Sequence, residues 1–132
     1  MTFGPGIART LLPKGFFASG LNSGVRRYRP DVGLIVSEVP AVATAVYTQS
    51  TFVGEHVHYC KSILPSTQIQ ALITNSGQAN TSCGKIGKQD NLDMATAVAN
   101  EMGLQTHQVL TASTGVIGHR MQIEKITAIV PA

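Results

Sequence analysis

Tryptophan is absent from this chain of 132 residues, tyrosine occurs three times, phenylalanine four times, and charged residues make up only 13%. So few aromatics, with no recognisable nucleic-acid motif, leave little to build a base-stacking platform. The charged fraction is about half the usual value of roughly 25%, which leaves room for a surface partly covered by a partner. Two cysteines, Cys60 and Cys83, supply neither a disulfide framework nor a metal-ligand spacing. No apolar run approaches the roughly 18 residues of a membrane span. No apolar stretch after Arg9 resembles the hydrophobic region of a signal peptide. A cytoplasmic protein without membrane contact is expected. Internal repeats and low-complexity tracts are also missing.

Hydrophobic residues make up 43% of the chain, a globular rather than disordered composition, and its length suits a single domain over residues 1–132. The net charge is +3, and the basic residues are unevenly placed. Arg9, Lys14, Arg26, Arg27 and Arg29 all precede the first acid, Asp31. The run Arg26-Arg27-Tyr28-Arg29 invites comparison with a phosphate-binding patch. A solvated basic loop is the commoner use of such a run, and nucleic acid is not expected as a partner.

Residues 1–30 are rich in glycine and proline and read as turns and short edge elements. Residues 31–39 (DVGLIVSEV) read as a strand, and residues 41–47 (AVATAVY) as a second, hairpin-like strand beyond Pro40. Strand character returns at 56–59 and 69–74, and residues 75–87 (NSGQANTSCGKIG) read as a loop. Asp90 is the expected N-cap of a helix whose apolar face carries Leu92, Ala95, Ala99 and Met102. Gly103 is its expected C-terminal stop. A strand over 109–112, a turn at Ser113-Thr114-Gly115 and a helix over about 122–130 complete an α/β, or layered α+β, pattern.

Three segments offer chemistry. A Ser-Thr-Gly turn closing an apolar strand brings a hydroxyl and a neighbouring N–H together, as stabilisation of a tetrahedral oxyanion requires. The same residues also cap ordinary turns, so both uses stay open. Asn75-Ser76-Gly77-Gln78-Ala79-Asn80 could be a substrate-positioning loop or one held rigid by Asx-type bonds. His56 and His58 would share one face of a strand, but no further ligands stand at a recognisable spacing and no metal is expected. The seven carboxylates form no acid/base pair, and the chain alone assembles no complete active site.

Five segments resemble the ornithine/glutamate N-acetyltransferase family in order and approximate spacing. They are Pro13-Lys14-Gly15-Phe16, Asp31-Val32-Gly33-Leu34-Ile35-Val36-Ser37, Val46-Tyr47-Thr48, Asn75-Ser76-Gly77-Gln78-Ala79-Asn80 and Ser113-Thr114-Gly115-Val116-Ile117-Gly118. Residues 49–54 depart from the family's usual segment, which is richer in Asn, Lys and Ala. The resemblance implies the N-terminal part of the α chain of a precursor that cuts itself before a threonine. That threonine, the first residue of the β chain, would be the nucleophile in an α2β2 heterotetramer.

The implied reaction passes an acetyl group from N-acetylornithine to glutamate, both small amino-acid substrates, in the acetyl cycle of arginine biosynthesis. No resident cofactor is implied, although some members accept acetyl-coenzyme A as a donor. By resemblance, Thr114 and Gly115 are the oxyanion-hole residues. Two other readings stay open: a related self-processing amidase or aminopeptidase, and a non-catalytic assembly subunit.

Overall fold

A computed structural model describes residues 12–132. The readings that rest on residues 1–11, Arg9 among them, lie outside the described residues. Four strands form one sheet in the order β1 (Phe16–Leu21), β2 (Val32–Ala43), β3 (Ser66–Gln78), β4 (Val109–Val116). The pairs β1/β2 and β2/β3 are antiparallel, and β3/β4 is parallel. A parallel pair needs a crossover connection. Helix α2 (Gly84–Met102) and the 3-10 turn Thr106–Gln108 supply it. Helix α1 (Glu55–Ile63) precedes β3, and α3 (Ile123–Ala128) follows β4. The layered α/β class expected from the sequence is the one observed.

Strand period two decides where the core lies. Ile69, Ala71 and Ile73 of β3 and Val109 of β4 are buried, together with Met94, Ala95, Val98 and Ala99 of α2 and Ile123 and Ile126 of α3. On the opposite face of the sheet, Ala18, Ile35, Leu72 and Leu110 stand in register across all four strands.

Several expectations need correction. Residues 31–39 and 41–47 are not two strands of a hairpin: β2 runs through Pro40 and ends at Ala43. Proline is tolerated there because β1 pairs only as far as Ser37 and the β2/β3 register shifts between Val36 and Ala41. Residues 56–59 are helical, within α1, rather than a strand. Residues 75–78 extend β3, so the loop is shorter than expected.

Asp90 is not an N-cap. Helix α2 begins six residues earlier at Gly84, despite two glycines that disfavour a helix on propensity. Gly87 is needed for packing, since a Cβ there would lie 2.5 Å from Asn80 Oδ1. Gly103 does end α2, with a left-handed φ of 67°, and Leu104 N–H donates to Ala99 O. Strand β4 continues through Ser113, Thr114 and Gly115 to Val116 rather than turning there.

Candidate functional site

The end of β4 lies beside the end of β3, with Ser76 opposite Thr114 and Gly77 opposite Gly115. Ser113 is buried and faces Met121, with its Oγ 3.7 Å from the sulfur. Thr114 is exposed on the other face. Val116 C=O accepts from Ala79 N–H at 2.9 Å, so the Val116 peptide faces β3. Peptide directions alternate along a strand, which turns the Gly115 N–H toward the outer edge of β4. Among the described residues, no strand covers that edge.

Gly77 and Gly115 both have positive φ, 112° and 132°. A Cβ on Gly115 would lie 2.3 Å from the carbonyl carbon of Gly77, and one on Gly77 would lie 2.9 Å from Val25 Cγ1. Glycine at 115 is therefore a packing requirement as well as a means of close approach to a ligand. The Thr114 hydroxyl and Gly115 N–H, if directed at one point, form a donor pair.

The segment after β4 rests on the β3–α2 connection. Gln78 uses both ends of its amide there: Nε2 donates to Arg120 O at 2.9 Å, and Oε1 accepts from Gln122 N–H at 2.7 Å. Gly118 N–H donates to Thr81 O at 2.9 Å, and Cys83 Sγ donates to His119 O at 3.3 Å. Arg120 forks onto Asp90, with Nε to Oδ2 at 3.1 Å and Nη2 to Oδ1 at 3.0 Å. The Asp90 side chain is 1% exposed and that of Arg120 is 49% exposed. Hydrogen bonding to Asp90 raises the Arg120 pKa against a smaller opposing effect of desolvation.

Asp90 therefore has a structural partner that the sequence reading missed. Its place on the same helical stripe as Gly87, Met94 and Val98, next to Asn91, is the signal that could have revealed it. Asn91 is also satisfied, its Oδ1 accepting from the Thr111 hydroxyl at 2.8 Å.

The other candidates fall apart or serve structure. His56 and His58 are two positions apart on a helix, about 200° around it, and do not share a face. Burial holds His56 below its ordinary pKa despite the opposing charge of Glu55, and its Nδ1 is buried without a partner. Burial raises the Cys83 thiol pKa, and the charges of Asp90 and Glu55 raise it further, so its environment disfavours the thiolate. Among the described residues, no group of three or more His, Cys, Asp or Glu is arranged to hold a metal.

Of the polar 75–80 segment, Asn75 and Asn80 are buried, and Asn75 Nδ2 donates to Gln78 O at 3.0 Å. A shallow cavity of about 250 Å³ is lined by Gly20, Asp31, Thr74, Asn75 and Ser76 among others, and does not include Thr114. The register of Ser76 with Thr114 nevertheless places that cavity beside the strand end.

The described fold, a mixed four-stranded sheet layered with helices, is similar to two solved structures. One is the arginine biosynthesis bifunctional protein ArgJ of Bacillus halodurans, with a TM-score of 0.85 and 38% identity over 89% of this chain and 62% of that one. The other is the ornithine acetyltransferase of Mycobacterium tuberculosis, solved with ornithine, with a TM-score of 0.86 and 31% identity over 90% of this chain and 65% of that one. The ArgJ family profile matches residues 17–132, and the chain belongs to that family.

Curated relatives agree. The bifunctional ArgJ protein of Oceanobacillus iheyensis is 45% identical over 86% of this chain, and that of Bacillus subtilis is 40% identical over 88%. This chain spans 28% and 29% of their respective lengths.

Proposed function

We propose that this chain is the N-terminal part of the α chain of an acetyltransferase, a single domain that supplies the oxyanion hole for transfer between N-acetylornithine and glutamate. The nucleophile, a threonine at the start of a β chain, lies outside these residues in an α2β2 enzyme of the cytoplasm. Membership of the ArgJ family supports the reaction class. The carrying observation is local: an exposed threonine stands next to a positive-φ glycine at the end of β4, whose outer edge no strand covers among the described residues.

The chemistry follows from those two donors. Attack of the threonine oxygen on the acetyl carbonyl forms a C–O bond and places negative charge on the former carbonyl oxygen. The Thr114 hydroxyl and Gly115 N–H would hold that charge until the C–N bond breaks and ornithine leaves with a proton. The amino group of glutamate then attacks the acetyl-threonine, forming a C–N bond through a second tetrahedral state with its charge in the same place, and the C–O bond breaks as the threonine oxygen regains the proton the amine gives up. One donor pair thus serves both transfers, and acetyl-coenzyme A as an alternative donor would use it in the same way.

In the complete enzyme, Thr114→Ala lowers kcat for acetyl transfer by about 100- to 1000-fold, the usual effect of losing one such donor. Steady-state kinetics with N-acetylornithine and glutamate check this, and an unchanged kcat would refute the donor role.

A further inference from the structure

The ladder with β3 holds the Gly115 peptide on one side, and little else of its own fixes its direction. Gly115 and Gly118 both lie at positive φ, and between them Val116 and Ile117 are 56% and 53% exposed. Side-chain packing therefore does not hold the end of β4, and glycine's conformational freedom leaves several peptide orientations open. The hydrogen bonds described above impose one from outside. Arg120 makes the strongest of these contacts by geometry, a two-pronged charged contact to a buried carboxylate.

Resting on the oxyanion reading of Thr114 and Gly115, we propose that the Asp90–Arg120 ion pair is a positioning device. It tensions residues 116–122 against α2, with Gln78 as a second point of attachment, so that both donors face one acyl oxygen. Arg120 is a positioning residue here, since it acts on the reacting atoms only through the strand end.

A double-mutant cycle in the complete enzyme separates positioning from simple support of the fold. Arg120→Gln lowers kcat by about 10- to 100-fold with little change in KM, the scale of a small misplacement of reacting groups. The fraction of active sites, counted from the burst of ornithine released, stays constant. Arg120→Lys keeps the charge but not the fork and gives an intermediate kcat.

In the Thr114→Ala background one of the two donors being aimed is already gone. Adding Arg120→Gln then lowers kcat by about threefold or less, because the two changes are coupled. An equal factor in both backgrounds, or a loss confined to KM or to the active fraction, overturns the positioning role. If Arg120→Gln does not fold, Arg120→Lys carries the same cycle, with an expected loss in the wild-type background that shrinks in Thr114→Ala. A Thr114→Ala enzyme with full kcat instead removes the oxyanion reading itself, an outcome distinct from failure of the coupling alone.

Discussion

Two irregular segments of this chain look alike on paper and differ in space. Residues 116–122 follow β4, and residues 44–53 follow β2; neither contains helix or strand beyond Val116. The first is anchored through Gln78, Thr81, Cys83 and Asp90, all distant in the chain. The second bonds mainly to itself, through Ser50 N–H to Thr48 Oγ1 and Phe52 N–H to Ser50 Oγ. Its tie to a neighbouring element is Lys61, placed over the Tyr47 ring at 5.2 Å. Val46 is 99% exposed and Phe52 62%. What makes a loop precise is the partner it rests on, and composition does not reveal that partner.

The sharpest way to break the comparison is at Gly115. Gly115→Ala adds a carbon at 2.3 Å from Gly77 and places it at a φ of 132°. A destabilisation of about 3 kcal/mol or more, read from denaturant unfolding of the complete protein, is expected from a clash at a special backbone position. A loss below about 1 kcal/mol would show the strand end to be as loose as residues 44–53.

The loop between β1 and β2 is an intermediate case, tied by the Asp31 carboxylate together with the Asn22 amide and Lys125. Asp31 accepts from Ser23 N–H at 2.6 Å and Arg26 N–H at 2.7 Å. Burial alone would raise its pKa, but these hydrogen bonds prevail and hold it below 3.8. A depressed carboxylate stabilises the fold fully above the unfolded pKa, and that contribution is lost as pH falls through the folded value. Asp31→Asn costs about 1–2 kcal/mol at neutral pH, because one of the two acceptors is lost. The difference from wild type shrinks as pH drops from near 3.8 downward, and a difference that grows instead would contradict the sign.

The smallest effect is expected in residues 44–53. Ser50→Ala removes only bonds local to an exposed stretch, so stability changes by no more than about 0.5 kcal/mol. A shift in thermal midpoint as large as that of Asp31→Asn would show that this segment has an anchor of its own.

Much of the fold was legible where local chemistry and tertiary demand agree. Gly103 ends α2 because only a left-handed residue fits there, and Val109 begins a strand whose alternation matches its burial. The errors fall where a partner overrides local preference. Helix α1 has no fully buried residue to impose a helical pattern on the sequence, so its alternating histidines read as a strand. Asn75, Ser76 and Gly77 look like loop residues yet are paired between β2 or β4 and their own strand. At the proposed site, local chemistry marked Thr114 and Gly115 only as a polar glycine turn, and the oxyanion role came from the family resemblance. Gln78, Asp90 and Arg120 were not legible as contacts, since their meaning lies in one another.

The parallel pairing of β3 with β4 carries a consequence for how this site comes into being. Ser76 and Thr114 come into register only after α2 has been threaded between their strands, so the loop-closure entropy of the crossover must be met before these two strand ends meet. A synthetic peptide of residues 110–117 would contain the whole Ser-Thr-Gly motif and none of its geometry. The pairing of these strand ends belongs to the topology and to no stretch of chain on its own.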